Sequence, residues 1–412
     1  MEQKNGGGVS TTLLGKIALV LSLSVAFMQL SNLVTYGIMS AWIAIAAGKY
    51  LLGLPAMQKY SSAAPISAAY RKWGFSAEKA DRRESVISTF LFYNFGSRVV
   101  IYIYTLLLII VGATESRFLS TNAMTFVNGL SAASIFYLFG FKAVVFSTVA
   151  ACLSWVWSVL GVLSRSGLTE FFKQLEFHDL SFGVGYVLLY FLCLPRKWKT
   201  KDYFLCAAVA LIIVCAYKRI GLAALAVAWL VWFTIRRVKA ENRGKLLKIG
   251  SLCAIAVCYL FVVMILEGWL VAIADAVGVN VMGRNYYYEA LASHCEFAPW
   301  FLGLGRNASA TLFTTDYVHM NVGNVHSDIL RMYAECGFVL FGLWLLVYWW
   351  FLPRALEKKF GYRAMEFFLI CTIYTFIVYT TDNTELYLVN QYFYMLMPMA
   401  CAIKCKPKKS DS

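Results

Sequence analysis

Residues 220–266 read IGLAALAVAWLVWFTIRRVKAENRGKLLKIGSLCAIAVCYLFVVMIL. Two apolar segments, at about 220–235 and 249–266, flank the basic stretch RRVKAENRGKLLK at 236–248. Neither apolar segment is interrupted by a charge, and each approaches the ~20 residues that a helix needs to cross a bilayer. The pattern predicts two membrane helices joined by a basic turn, and it sets the fold class as an all-α integral membrane protein.

Outward from this hairpin the pattern repeats. Further apolar segments lie at about 17–35, 37–54, 98–113, 122–140, 143–163, 183–194 and 203–217 on one side, and at 338–352, 366–380 and 388–403 on the other. About twelve transmembrane helices are expected. Several segments are shorter than a full span, so their ends are expected to run on into the flanking loops. Composition points the same way: 60% hydrophobic and 14% charged residues over 412, with mean hydropathy +0.65, is more apolar surface than a water-soluble core can hide.

The net charge of +15 raises the question of a polyanionic partner, and the placement of the charges answers it. With the N-terminus inside, the inner face takes Lys59, Arg71, Lys72, Lys79, Arg82, Arg83, Lys142, the runs at 195–201 and 236–248, Arg354, Lys358, Lys359, Arg363 and the tail from Lys404. The outer face holds Arg117, Arg165, Lys173, Lys218, Arg219, Arg284, Arg306 and Arg331. This is the positive-inside bias of a membrane protein, and no nucleic acid is needed to explain it. The first helix is expected to serve as an uncleaved insertion signal, since no small-residue cleavage pattern follows it.

The chain reads as a single membrane domain over 1–412, with a large outer loop, 267–337, between helices 9 and 10. A second acidic loop, 164–182, carries Glu170, Glu176, His178 and Asp179 on the same side. On the inner side, RKWGFSAEKADRRESVISTFLFYNF at 71–95 reads as a helix lying on the membrane surface. Nine of the eleven cysteines fall in or at the inner end of apolar segments, where cysteine is a small hydrophobe. Only Cys295 and Cys336 map outside, and no spacing pattern supports a disulfide between them.

The chemistry-bearing residues gather in the large loop and at helix ends beside it. Lys218 and Arg219 stand at the outer rim of a tight helical hairpin. They either snorkel to the interface or meet the phosphates of a lipid-linked substrate, for which the planar fork of arginine is suited. Arg284 opens a helix-like run, RNYYYEALASHCEF. In WFLGLGRN, Gly303 and Gly305 either form a plain turn or let backbone amides approach an anion beside Arg306.

His326 carries the sharpest argument. In NVGNVHSDILRMYAECGF the polar residues end at Glu335, so His326 sits about one to three turns outside the membrane, where headgroups lie. Asn324 or Ser327 can cap the helix, Asp328 and Arg331 pair at i,i+3, and Glu335 follows a turn later on the same face. An imidazole there can take a proton from a sugar hydroxyl, or it can be a satisfied polar group at a helix entrance. His319 and His326, with Asp316 and Asp328 nearby, lack metal-ligand spacing, and no nucleotide-binding loop occurs.

Taken in order, KRIGLAALAVA, GRNYYYEAL, the G-L-G turn and HSDILRMYAECG resemble the bacterial O-antigen polymerase and ligase superfamily, across about residues 203–352. Ser327 stands where Asn is commoner, and Tyr-Lys precedes Arg219 where small residues are usual. The resemblance implies a GT-C-like, inverting glycosyltransferase with no metal and no cofactor, in the bacterial cytoplasmic membrane with its active site facing outward. Its donor would be an undecaprenyl-diphosphate-linked oligosaccharide. Arg219 and Arg284 match the arginines that hold the donor diphosphate and His326 the outer-loop histidine, with Arg306, Asp328, Glu335 and Lys218 as substrate-binding candidates. Membrane lipids, a chain-length regulator and a flippase are the partners that such a pathway implies. A polymerase is the favoured reading, with a ligase acting on lipid A-core as the alternative. A flippase or other transporter is the competing class, but such proteins bury charges near mid-membrane and show repeat symmetry, neither of which is clear here.

Overall fold

The computed structural model describes residues 13–29, 31–59, 77–111, 120–173, 180–194, 199–216, 218–278, 283–309, 312 and 325–405. Among these residues the chain is predominantly helical, with no strand. The helices are α1 (Leu13–Phe27), α2 (Asn32–Lys59), α3 (Ala77–Phe90), α4 (Gly96–Ile110), α5 (Ser120–Phe139), α6 (Lys142–Lys173), α7 (Leu180–Cys193) and α8 (Thr200–Cys215). There follow α9 (Arg219–Arg237), α10 (Ala240–Leu266), the short α11 (Trp269–Ala276) and α12 (Arg284–Ala292), α13 (Asp328–Leu346), α14 (Leu352–Phe360), α15 (Tyr362–Tyr379) and α16 (Leu388–Lys404).

The apolar segments read from the sequence fall on these rods to within a few residues, except that the one read at 17–35 is divided: α1 ends at Phe27 and α2 begins at Asn32 within it. Among the described residues six rods are long and apolar enough to cross a membrane, and shorter apolar helices accompany them. The expected extension of short segments is found: the segment read at 338–352 runs on to Phe360 through a π turn at Val347–Phe351, and across a break at Gly337 the helix reaches back to Asp328.

One expectation is corrected. The basic stretch read as a surface helix is not a separate element: α3 continues through a π turn at Leu91–Phe95 into α4, and Arg82–Ile110 forms one long apolar rod. Residues 71–76 of that stretch lie outside the described residues. The reason is local. SVISTFLFYNFGSRVVIYIY contains no proline, so nothing stops the helix that α3 starts.

The described residues of Met1–Phe92, Val127–Leu222 and Leu388–Ser412 form one compact unit, and those of Tyr93–Phe126 and Ala223–Tyr387 form another. In the first, α16 and α7 are buried along nearly their whole length and pack on each other, with α1 against α6 and α8 against α7. Phe27 and Tyr392 meet edge to face at 5.4 Å, and Ser147 and Tyr392 share a hydrogen bond of 2.7 Å. In the second, α10 packs on α13, α12 and α11, while α13 touches α4 and α15. The second unit holds the polar residues considered next.

Candidate functional site

The site is built on the entrance to α13. Ser327 caps the helix in extended conformation (φ −158°, ψ 111°), its Oγ accepting from the Leu330 amide at 3.3 Å and donating to the Tyr379 carbonyl at 3.2 Å. The Asp328 amide donates to the Asp382 carbonyl at 3.2 Å, and the Glu385 amide donates to Asp328 Oδ2 at 2.6 Å. The helix start is thereby fixed to the 379–385 corner after α15.

His326 lies just before this cap. Its φ of 52° is in the left-handed region, uncommon for a residue with a Cβ although histidine is among those that tolerate it. Val325, on its other side, is fully buried against Tyr287, Leu291, Leu330 and Ala334. The imidazole, half-buried, stands 6.0 Å from the Tyr287 ring between centroids. A residue held this way between a buried valine and a capping serine cannot wander.

Arg284 reaches the same corner from α12, which starts at Arg284 after Gly283. Its Nη2 donates to the Thr381 carbonyl at 3.1 Å. Tyr287 follows three residues later on the same helix, so one turn of α12 sets a guanidinium and an aromatic ring beside the His326 entrance. Burial raises the Tyr288 phenol, and the Arg284 charge works against that rise.

Beneath the corner lies a buried ionic network. Arg306 pairs with Glu335 Oε2 and with Glu385 Oε2, both at 2.9 Å. Arg331 pairs with Asp328 at 2.6 Å and with Glu385, and lies 3.7 Å from Glu335. Ser309 Oγ donates to Glu335 Oε1 at 2.7 Å. All five charged residues are at most 5% exposed. Arg98 of α4, also buried, donates to Asn94 Oδ1 at 3.0 Å and to the Thr125 carbonyl, and adds a third positive charge to the field at Glu385.

The charges of Arg98, Arg306 and Arg331 balance those of Asp328, Glu335 and Glu385, which is what tolerable burial of so many ions requires. Burial alone would raise the Glu385 carboxyl, but Arg306, Arg331 and Arg98 outweigh it and hold the group well below the usual carboxylate range. Burial would likewise lower Arg306, yet Glu385 and Glu335 push it well above its ordinary value. Both groups are thus held in their charged forms.

The glycine-rich turn serves a different purpose from the anion cradle considered above. Gly337 breaks α13 with φ 73°, ψ 179°, a conformation open essentially to glycine alone, and the break frees carbonyls on its N-terminal side. The amides of Leu304 and Gly305 donate to the Ala334 and Glu335 carbonyls at 2.8 and 3.0 Å, and the Phe338 amide donates to the Phe301 carbonyl at 2.9 Å. Amides used in this way are not presented to an anion. Tyr104 Oη donates to the Leu302 carbonyl at 2.6 Å and the Arg306 amide to Thr105 Oγ1 at 3.3 Å, which ties the same turn to α4.

Of the residues singled out in the sequence, Arg284, Arg306, His326, Asp328 and Glu335 are therefore gathered in one unit. Lys218 and Arg219 belong to the other: Arg219 opens α9 and is exposed, and Lys218 Nζ lies 5.7 Å from the Phe182 ring centroid. His178, Asp316, His319 and Asn324 lie outside the described residues. Cys295 and Cys336 are both free thiols, and burial pushes Cys295 up to about 12. His294 stays local, its Nδ1 2.9 Å from Ser293 Oγ.

Glu385, Asp382 and Arg98 were not singled out in the sequence. Two signals point to them in retrospect. TTDNTELY at 380–387 places two carboxylates in the short gap between apolar segments on the same side as the large loop, and Arg98 is a lone cation leading into an apolar run.

Residues 204–345 match the family model described as O-antigen ligase. No curated protein matches the chain. The matched stretch includes α9 to α12, the glycine-rich turn, His326 and most of α13.

Proposed function

We propose, from the match of residues 204–345 to the O-antigen ligase family model, that the chain is a polymerase that transfers a glycan from undecaprenyl diphosphate to a lipid-linked acceptor on the outer side of the cytoplasmic membrane. The observation that carries this reading is the convergence of Arg284 and His326 on the 379–385 corner above a rigid, charge-balanced base. A hydroxyl at the non-reducing end of the acceptor attacks the anomeric carbon of the donor. The bond from that carbon to the diphosphate oxygen breaks, and the diphosphate leaves with the electron pair. His326 takes the proton of the attacking hydroxyl, and Arg284 neutralises the charge that grows on the leaving group.

In this reading Arg306, Asp328 and Glu335 act as positioning residues rather than as substrate contacts. Their polar atoms are engaged with one another and with Arg331 and Glu385, and each is at most 3% exposed. Their part is to hold the α13 entrance, and so His326, in register with Arg284. A ligase using a lipid A-core acceptor would need the same donor chemistry, and differs only in the acceptor.

The test is His326→Ala, with polymer measured per unit of membrane-inserted protein. A positioned general base contributes about 10²–10⁴-fold in rate, so polymer should be lost while insertion stays normal. His294→Ala should be mild by comparison. Polymer of ordinary amount and length from His326→Ala would remove the proton-transfer role.

A further inference from the structure

His326 is held in a backbone conformation that few residues with a Cβ adopt. Its φ of 52° lies in the left-handed region, and such a conformation persists only where the surroundings over-determine it. Two of the restraints come from the chain on either side: Val325 is fully buried, and Ser327 caps α13. Both act on the backbone. Neither aims the imidazole, and a group that is to take a proton has to be aimed at it.

Tyr287 supplies a restraint on the ring itself. Its centroid lies 6.0 Å from that of the imidazole and the two planes are inclined at 57°, inside the span of about 4.5–7 Å over which aromatic rings attract at a tilt. The tyrosine is 9% exposed and belongs to a buried cluster with Ile265 of α10, Leu291 of its own helix, and Leu330 and Ala334 of α13. Val325 is part of the same cluster. One side chain thus shares the packing that fixes the His326 backbone and meets the ring that His326 carries.

The same side chain refers that ring to Arg284. Tyr287 stands three residues after Arg284 in α12, close to one turn, and Arg284 Nη2 is tied to the Thr381 carbonyl at 3.1 Å. A single turn of helix therefore carries the guanidinium and the aromatic ring at one fixed spacing. The imidazole packed on that ring is placed relative to Arg284 as well as to the entrance of α13.

We propose that Tyr287 is a positioning residue: its ring aims the His326 imidazole at the acceptor hydroxyl and keeps it in register with Arg284. The role rests on the proton transfer proposed for His326. It belongs to the ring and not to the phenol hydroxyl, so phenylalanine fills it and an aliphatic side chain does not.

The experiment is a double-mutant cycle on Tyr287 and His326. Full-length variants are assayed in membranes from source cells that lack the wild-type copy and supply their own lipid-linked substrate, over incubations long enough to register the residual polymer of His326→Ala. Tyr287→Leu should lose about ten-fold or more in polymer per unit of inserted protein, and Tyr287→Phe should stay within about two-fold of wild type. Once His326 is replaced by alanine, Tyr287→Leu should cost nothing further, because it acts through a group that is gone. A tyrosine that only stabilises the fold gives the opposite result, a loss that multiplies with that of His326→Ala.

A second measurement needs no activity. Diethyl pyrocarbonate acylates imidazoles, and peptide mass spectrometry of the detergent-solubilised protein compares His326 with the exposed His294 in one digest. The ratio of His326 to His294 modification should rise several-fold in Tyr287→Leu and stay at the wild-type value in Tyr287→Phe. If Tyr287→Leu fails to insert, Tyr287→Met replaces it in both measurements. Multiplying losses, wild-type polymer from Tyr287→Leu, a Tyr287→Phe as impaired as Tyr287→Leu, or an unchanged modification ratio would overturn the proposal while leaving His326 as the base. Wild-type polymer from His326→Ala would instead remove the proton-transfer role, and the positioning role with it.

Discussion

A Cβ built on Gly303 would stand 2.4 Å from the amide nitrogen of Gly337, and one built on Gly337 would stand 2.3 Å from the carbonyl carbon of Leu302. Both glycines also have positive φ, 86° and 73°. Two backbones therefore touch where no side chain fits, and the contact is what lets Leu304 and Gly305 donate to the carbonyls freed by the break in α13. Gly303→Ala and Gly337→Ala should each cost at least the ~1–3 kcal/mol of a strained backbone, with the steric clash added. Gly161→Ala, with open space around it, serves as the comparison. Thermal melting followed by size-exclusion chromatography in detergent checks this, and melting temperatures equal to the wild type at both positions would show that the clamp contributes little.

Arg306 and Arg331 both pair with Glu385 as well as with Glu335, and Glu385 Oε2 accepts from both guanidiniums. Glu385→Gln leaves two buried guanidiniums short of a counter-charge, and breaking such a pair typically costs about 3–5 kcal/mol. The pH dependence follows from the direction of its shift. Its folded value lies below the ordinary one, so its stabilisation is complete above about pH 5 and is lost as pH falls from ~4.3 toward the depressed folded value. Melting temperature against pH should thus be flat for this group from pH 5 to 8, with a fall in acid that Glu385→Gln lacks. A variant as stable as the wild type at pH 7 would contradict the account.

Much of this arrangement is legible in the sequence, because it is local. The 236–248 basic turn marks the hairpin of α9 and α10, Ser327 is one of the two caps the sequence offers, and Asp328, Arg331 and Glu335 fall on one face by helical spacing alone. What the spacing does not reveal is which partner each charge meets. Arg306 and Glu385 are 79 residues apart in sequence, and their pairing depends on the tertiary path of the chain. The use of the Leu304 and Gly305 amides was hidden for the same reason: the break at Gly337 is a property of two segments in contact. A glycine pair in an outer loop looks the same whether it cradles an anion or another backbone.

Topology is the next expectation open to measurement. The charge bias assigns the 296–306 turn to the outer side and the 236–248 stretch to the inner side. Trp300 is 72% exposed, whereas Ser309 is 1% exposed, so position 300 is the one to label in the turn, with the exposed Glu241 as its counterpart. Cysteines introduced there, in a background lacking the exposed Cys253, should react with a membrane-impermeant maleimide from opposite sides. Labelling of both from one side would overturn the sidedness, and with it the outward-facing site.

The last prediction separates phosphate recognition from charge alone at Arg219 and Arg284. A guanidinium can contact two diphosphate oxygens at once through its planar fork, while an ammonium keeps the charge and loses the fork. Arg284 also spends one of its nitrogens on the Thr381 carbonyl, at 3.1 Å, which sets the plane of the fork before any substrate arrives. A lysine there would have to choose between that carbonyl and the phosphate. Arg284→Lys should therefore fall well below wild type in polymer made per unit of inserted protein, and Arg219→Lys should fall with it. If the two arginines only anchor helix ends at the interface, lysine does this about as well, and both variants stay active. Chelator should leave the wild type unaffected, since the guanidiniums supply the positive charge that a divalent cation would otherwise bring. Full activity in both lysine variants, or activity lost in EDTA and restored by Mg²⁺ or Mn²⁺, would remove the diphosphate clamp from the mechanism.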